Sequence, residues 1–299
     1  MCRRKETVTS PIQHTPSVTI KAAVIQTLRY FEFFKHALFV EEVHKYLPLP
    51  ATIEEVGTCL ELLKEEACIF EDQGLWALHF EHIQLRIQNL QRNKRMLRVA
   101  KRMGKFIQLF PYVRGVYLSG SLSKSGITSS SDDLDFFIIT KADRVWAAKF
   151  LLIAFKKVFL LGSEKYFCIN FLMSETELGL KKKNRYVATE AASLVPLTNE
   201  GLLGHFLEAN PFIQEQFPNF ESPSAGALKR SLGLVERSLE LLIGPYLEKK
   251  ALSMFSEHVR ANEKEGGYYL TSEEVSAYFP DSVEDRLLAH LKEKSLEDE

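Results

Sequence analysis

Residues 120 to 139 read GSLSKSGITSSSDDLDFFII, and the two ends of this run favour the same chemistry. The apolar residues at its end predict a buried strand. Asp133 and Asp135 stand one residue apart where that strand begins. Because side chains alternate along a strand, both carboxylates are expected on one side of it, as oxygen ligands for a metal ion. At the other end, Gly120 lets the main chain approach a ligand closely, and Ser121 offers a hydroxyl and backbone N–H groups to a phosphate. Together the two ends predict phosphoryl transfer.

Strands and helices alternate around this run. The predicted elements, in chain order, are a strand at 115 to 119, a strand at 134 to 140, a helix at 143 to 161, a strand at 166 to 173 and a helix at 186 to 194. Gly162 ends the first of these helices, and Asn170 lies in the middle of the third strand. Residues 111 to 204 are therefore predicted to form a core with a mixed sheet, and the spacing of apolar residues from 205 to 299 predicts a helical C-terminal region.

The N-terminal third is predicted to contain a separate small domain. Residues 1 to 19 are polar and are expected to form a flexible tail. Within residues 20 to 80 the apolar spacing predicts three helices followed by a two-stranded hairpin. The third helix starts with a capping box formed by Thr52 and Glu55, and Gly74 lies in the hairpin turn. Three helices and a hairpin in this order predict a winged helix-turn-helix.

Residues 81 to 110 are predicted to form one long connecting helix, and this helix is strongly basic. Eight cations oppose Glu81 between residues 81 and 105: Arg86, Arg92, Lys94, Arg95, Arg98, Lys101, Arg102 and Lys105. This helix and the basic loop at residues 181 to 185 are candidates for contact with a polyanion, with a solvated surface as the simpler interpretation. The third helix of the N-terminal domain carries five glutamates against Lys64, so phosphates would repel it, and DNA binding there is disfavoured.

The composition is that of an ordinary globular protein. The chain has 299 residues with 38 Lys and Arg against 39 Asp and Glu, which favours neither a nucleic-acid coat nor a membrane-surface protein. The basic start is followed by polar residues, which argues against a signal peptide, and the apolar helix at 145 to 161 is too short and too charged to cross a bilayer. Four widely spaced cysteines are typical of reduced thiols. The expected location is the cytoplasm, with no membrane partner.

Three groups of residues resemble a known family: Tyr30 to Phe34, Gly120 to Lys124, and Asn170 with Phe171. With the order of elements, they make the chain similar to the polymerase-beta-like nucleotidyltransferase superfamily. Within it, the chain resembles a group of predicted bacterial nucleotidyltransferases that have an N-terminal winged helix. The resemblance implies an α+β fold: a winged helix-turn-helix, a mixed-sheet nucleotidyltransferase core and a helical C-terminal region.

The resemblance also implies a reaction. A magnesium-dependent enzyme would move a nucleoside monophosphate from a nucleoside triphosphate to an unknown acceptor, which could be a small molecule, a protein or RNA. Asp133 and Asp135 would be the catalytic residues that bind Mg²⁺. Gly120 and Ser121 would hold the beta and gamma phosphates, Lys124 would assist them, and Asn170 would complete the metal shell.

One position departs from the family pattern. The third strand offers Asn170 where a second metal generally needs a carboxylate, and a neutral oxygen is the weaker ligand. Either one magnesium ion suffices or another acid substitutes; the candidates are Glu175, Glu190 and Asp132. An alternative function is a catalytically inactive nucleotide-binding sensor or scaffold whose winged helix contacts a protein or DNA partner. In the simplest structural interpretation the two aspartates only cap a strand after a serine-rich turn, and Lys124 is a solvated loop residue.

Overall fold

The computed structural model describes residues 18–126, 133–163, 165–226, 233–262, 268–279 and 283–296. These residues form a mixed α and β fold with two separate sheets. The N-terminal part contains α1 (Val18–Glu32), β1 (Leu38–Phe39), α2 (Val40–Lys45), α3 (Ile53–Glu65), β2 (Phe70–Asp72), β3 (Leu75–Ala77) and the long α4 (Phe80–Ile107). The central part contains β4 (Val113–Ser119), α5 (Gly120–Ser123), β5 (Asp135–Thr140), α6 (Val145–Phe159), β6 (Cys168–Ser174), α7 (Arg185–Ala192) and β7 (Val195–Pro196). The remainder contains α8 (Glu200–Glu208), α9 (Phe212–Gln216), α10 (Leu234–Leu242), α11 (Gly244–Asn262), β8 (Tyr268–Thr271), β9 (Val275–Phe279) and α12 (Val283–Leu296).

The N-terminal helices pack over a three-stranded antiparallel sheet with the order β1-β3-β2. The capping box is confirmed: Thr52 Oγ1 accepts from the Glu55 N–H at 3.2 Å, and the Glu55 carboxylate accepts from the Thr52 N–H at 2.8 Å. Gln73 and Gly74 both have positive φ, as a tight two-residue hairpin turn requires. The strand β1 was not predicted, because two residues are too few to give a periodic pattern.

The second sheet is mixed and has the order β7-β4-β5-β6-β9-β8. Strands β5 and β6 are parallel and are connected through α6, whereas the other neighbouring pairs are antiparallel. Residues of β5 alternate between two buried clusters: Phe137 and Ile139 pack in a large cluster with the N-terminal helices, and Phe136 and Ile138 pack in a cluster with α4 and α6. By this alternation Asp135 lies on the same side of β5 as Phe137.

The C-terminal part differs from the helical region that the sequence predicts for residues 205 to 299. Helices α10, α11 and α12 are present, but β8 and β9 form a hairpin whose second strand pairs with β6. The sequence contains the β-favouring residues Tyr, Val and Phe here, yet each run is only four or five residues long. Their strand character comes from the edge of β6, which supplies the hydrogen-bonding partners.

The apolar helix α6 ends before Gly162, whose φ is +80°, as its predicted role at the end of a helix requires. Its buried face, which includes Trp146 and Leu152, packs on the sheet. Within the part of the chain that the structure describes, no helix combines the length and the apolar character needed to cross a bilayer.

Candidate functional site

The pairing of β4 with β5 brings the two ends of the 120 to 139 run together. Ser119, the last residue of β4, is opposite Asp135, the first residue of β5, so Gly120 lies beside the Asp135 side chain. Gly120 has φ +69°. A Cβ atom built on it would lie 3.0 Å from Asp135 Cγ and would overlap Oδ2. The main chain therefore approaches this carboxylate at a position where no other residue fits.

Asp135 is half-buried and is held by Asn170. The Asn170 amide donates to Asp135 Oδ1 at 2.6 Å, and Cys168 Sγ lies 3.2 Å from Asn170 Oδ1. The register of β6 explains this contact: Phe136 pairs with Ile169 but the next residue pairs with Phe171, so Asn170 is an extra residue in a bulge. The structure thus places the uncharged amide of Asn170 beside the carboxylate, to which it donates a hydrogen bond.

The environment of Asp135 raises its pKa to about 6. Burial is the main cause, because it disfavours the charged form, and the negative charges of Asp133 and Glu190 add to it. A hydrogen bond from Cys168 and the positive charge of Lys124 act in the opposite direction. A carboxylate with a raised pKa at the end of a central strand is typical of a functional site.

Asp133 is exposed and lies two residues before the start of β5. Because Asp133 lies outside the strand, the alternation of side chains along β5 does not fix the direction of its carboxylate. Its charge nevertheless acts on Asp135, as the raised pKa shows. Leu134, which lies between the two aspartates, is held by two backbone hydrogen bonds. Its N–H donates to the Lys165 carbonyl at 3.0 Å, and its carbonyl accepts from the Cys168 N–H at 3.1 Å. Asp132, the other acid of this turn, lies outside the described residues.

Lys124 connects the loop after β4 to α7. Its ammonium donates to the Gly120 carbonyl at 3.1 Å, to Glu190 Oε2 at 2.9 Å and to Ser193 Oγ at 3.4 Å. Ser121 is exposed, and its carbonyl accepts from the N–H groups of Lys124 and Gly126 in a compact turn. The lysine is therefore a structured part of the site, although its charge is already balanced by a carboxylate.

The candidates for a third acid occupy different places. Glu190 lies in α7, is bound to Lys124 and contributes to the raised pKa of Asp135. Glu175 follows the last residue of β6, and its N–H donates to the Thr140 carbonyl. Thr140 is five residues beyond Asp135 along β5, which corresponds to about 17 Å in an extended strand. Glu190 is therefore the candidate that the fold brings to the site.

Residues of the N-terminal part also contact this site, which sequence reasoning missed. Asn93 of α4 is buried, and its amide donates to the Ser125 carbonyl at 2.7 Å. His36 is buried beside the same loop, close to Gly126, and its pKa is lowered, mainly by burial. A polar Asn among buried positions of a helix is the signal that could have identified this contact.

Lys45 is a second ammonium group near the site. It is partly buried with its Nζ 4.9 Å from the centre of the Tyr46 ring and 5.2 Å from that of Phe220. Burial lowers the pKa of Lys45 to about 8; the charge of Glu42 raises it and that of Lys124 lowers it further. The charge of Lys124 thus acts on Lys45.

The donor set suits a hard divalent cation. Asp133 and Asp135 supply carboxylate oxygens, and oxygen ligands are those that Mg²⁺ prefers. Asn170 adds an amide oxygen, although in this arrangement its amide nitrogen faces Asp135. Among the described residues, no cluster of three His, Cys, Asp or Glu has an arrangement suited to a metal ion. Two carboxylates are therefore the charged donors that these residues would offer to such a cation.

A cavity of about 390 Å³ lies elsewhere, at the far end of β6. It is bounded by Phe171 and Met173 on the sheet and by the acidic side chains of Glu177, Glu273 and Glu274. Three carboxylates against the single Lys181 would repel a triphosphate, so the cavity is not a second candidate for the nucleotide.

Comparison of the chain with family models, with curated proteins and with solved structures gives no match.

Proposed function

We propose that this protein is a magnesium-dependent nucleotidyltransferase. It would transfer a nucleoside monophosphate from a nucleoside triphosphate to a hydroxyl or phosphate oxygen of an acceptor. The observation that carries the proposal is the packing of the Asp135 carboxylate against Gly120. This contact would join a metal-binding acid to a glycine-serine turn that binds phosphate, which are the two parts that phosphoryl transfer needs side by side.

In the proposed reaction, the acceptor oxygen attacks the alpha phosphorus, the bond to the beta phosphate breaks, and pyrophosphate leaves while the acceptor loses its proton. Mg²⁺ held by Asp133 and Asp135 would neutralise the triphosphate and activate the acceptor oxygen. Asp135 has a pKa of about 6, so it is ionised at neutral pH. Its hydrogen bond from Asn170 fixes the carboxylate orientation without adding a second negative charge.

The loop residues would bind the phosphates. The main chain at Gly120 lies against the Asp135 carboxylate, Ser121 beside it is exposed, and Lys124 is anchored in the same turn by Glu190. An incoming phosphate would compete with Glu190 for the ammonium, and Lys45 would provide a second cation. The triphosphate would thus replace a contact that the protein makes with itself.

The test uses calorimetry with a non-hydrolysable nucleoside triphosphate, with and without Mg²⁺. Asp133→Asn and Asp135→Asn should abolish the magnesium-dependent binding. Glu175→Gln, which changes a carboxylate at the other end of the same strands, should leave binding unchanged. If Asp135→Asn binds the nucleotide with magnesium as the unmodified protein does, the proposed site is wrong.

A second candidate function is a nucleotide sensor that binds without turnover. Asn170 favours it, because a neutral amide takes the position where a third carboxylate would hold a second metal. Incubation with labelled triphosphates, magnesium and a cell extract distinguishes the two functions. Release of pyrophosphate that Asp135→Asn abolishes supports the enzyme, whereas nucleotide binding without release supports the sensor.

We also propose that residues 20 to 80 are a winged helix-turn-helix and that the protein works in the cytoplasm. Helices α1 to α3 and the β2–β3 hairpin follow the expected order, and the glutamates of α3 are exposed. An acidic third helix favours contact with a protein over DNA. Cys59, Cys68 and Cys168 are not paired in disulfides, which is consistent with a reducing compartment.

A further inference from the structure

We propose that one face of α4 binds the phosphate backbone of a single-stranded polynucleotide. This basic face consists of six side chains in the second half of the helix: Lys94, Arg95, Arg98, Lys101, Arg102 and Lys105. All six are exposed, and among the residues that the structure describes none of the six has a hydrogen-bond or ion-pair partner. The sequence has no Asp or Glu between residues 82 and 110 that could balance them.

Such an arrangement is costly for the protein alone. The six cations are neighbours at spacings of three and four residues, and each like-charged pair at such a spacing destabilises a helix by about 0.2–0.5 kcal/mol. The whole chain has a formal net charge of −1, so these cations are concentrated on one helix rather than being part of a generally basic surface. A bound polyanion would relieve the repulsion and release counterions.

In the other basic segment, at residues 181 to 185, two of the four cations make contacts within the fold. Lys182 Nζ lies 2.8 Å from Glu284 Oε2, and the Arg185 guanidinium is half-buried, with its centre 5.4 Å from the centre of the Tyr30 ring. The charge count in the sequence treats the two segments alike. Lys181 and Lys183 of that loop remain exposed, whereas α4 gathers six exposed cations on one face.

The opposite face of α4 argues against insertion of this helix into a membrane. Its apolar side chains Met96, Leu97, Val99 and Met103 pack into the cluster with the mixed sheet. An interfacial helix needs an apolar face that can enter the lipid, and here that face is already used. Residues 94 to 105 cover about 17 Å of helix axis, which corresponds to about five nucleotides of a strand at 3.4 Å each.

The basic face continues to the candidate site. Asn93 adjoins its first residue and bonds to the Ser125 carbonyl in the loop after Gly120. A strand lying along α4 therefore has one end close to that loop. We infer that the terminal hydroxyl of this strand is the acceptor, because it is the nucleophile that the bound strand would bring to the site. This inference rests on the proposed function.

The test is fluorescence anisotropy with labelled single-stranded RNA and DNA of about 12 nucleotides at about 50 mM salt. Lys101→Glu with Lys105→Glu should weaken binding at least tenfold and reduce the salt slope by about 1.4, since each lost phosphate contact on a single strand removes about 0.7. The matched control is Lys249→Glu with Lys250→Glu, which makes the same charge change on exposed residues of α11 and should alter affinity less than twofold.

Three results would overturn the inference: absence of salt-dependent binding, equal weakening by both double variants, or equal affinity for polyglutamate of the same length. The measurement is repeated with Asp135→Asn, which should bind the strand normally because it leaves α4 unchanged. If the strand binds through α4 but no nucleoside monophosphate is ever transferred to its terminal hydroxyl, the proposed transfer is wrong while the polynucleotide surface remains. If a nucleotide is transferred only to other acceptors, the inference that the strand bound on α4 supplies the acceptor hydroxyl is wrong.

Discussion

Replacement of Gly120 by alanine tests the close approach on which the candidate site depends. Gly120 has φ +69°, and the left-handed conformation costs a residue with a side chain about 1–2 kcal/mol. The added methyl group would also lie 3.0 Å from Asp135 Cγ and 3.1 Å from its Cβ, and it would overlap Oδ2. The carboxylate must move, or β4 and β5 must separate where Ser119 pairs with Asp135.

The two costs have different consequences. The backbone term lowers the free energy of unfolding, and we expect a loss of about 1–3 kcal/mol in chemical denaturation when strain and overpacking act together. The displaced carboxylate loses its orientation toward the nucleotide, and a loss of about 1.4 kcal/mol or more in binding corresponds to a tenfold or greater increase in Kd. Calorimetric titration with a magnesium-bound, non-hydrolysable triphosphate measures the second effect.

Gly162→Ala is the matched control. Gly162 also has a positive φ, +80°, but an added Cβ atom meets no other atom within 4 Å, and the residue lies after α6. This variant should show the backbone cost without the change in Kd. If Gly120→Ala binds the triphosphate with unchanged affinity, or weakens it no more than Gly162→Ala, the contact between the turn and Asp135 does not position the nucleotide.

Three further predictions concern named side chains. Asp135→Asn should be more stable than the unmodified protein at neutral pH by at most about 3 kcal/mol, and the difference should vanish near pH 4. The pKa of Asp135 is about 6 in the folded protein against an ordinary 3.8, so the unmodified protein loses stability as the pH rises between these two values. Thermal unfolding of both proteins across this pH range measures the difference. Lys124→Met should lower the free energy of unfolding by about 1–3 kcal/mol, because Glu190 loses its partner. Adding Glu190→Gln should restore stability in denaturation but not the affinity for triphosphate. Recovery of both would show that the role of Lys124 is purely structural. Thr52→Ala should cost about 1 kcal/mol in denaturation through loss of the capping box with unchanged nucleotide binding, so a change in binding would show that the N-terminal helices and the site are coupled.

Much of the fold could be predicted because its signals are local. The capping box at Thr52 depends on residues three apart, and Gly74 and Gly162 stand where the backbone requires positive φ. The adjacency of Gly120 and Asp135 could also be anticipated, because strands that are consecutive in sequence usually pair or are neighbours. In each case the residues that make the feature are close in sequence or belong to neighbouring strands.

The remaining features depend on contacts between distant segments. The bulge that turns Asn170 toward Asp135 arises from the register of β5 and β6, and no residue pattern in β6 predicts where the register shifts. Asn93 became part of the site because α4 packs beside the loop after Gly120. The pairing of β9 with β6 likewise requires the chain to return after about a hundred residues. Tertiary packing, which sequence periodicity does not contain, decides all three.

The neutral side chain at position 170 has a physical consequence for Asp135. A carboxylate at 2.6 Å from Asp135 Oδ1 would add a like charge to a group whose pKa burial already raises to about 6. Two carboxylates at that distance do not both ionise at neutral pH unless a cation separates them. Asn170 instead donates a hydrogen bond to the charged form, which favours ionisation. Asp135 with a pKa of about 6 is therefore ionised at neutral pH before any metal arrives, and because burial makes that charge costly, a cation bound there would stabilise the site.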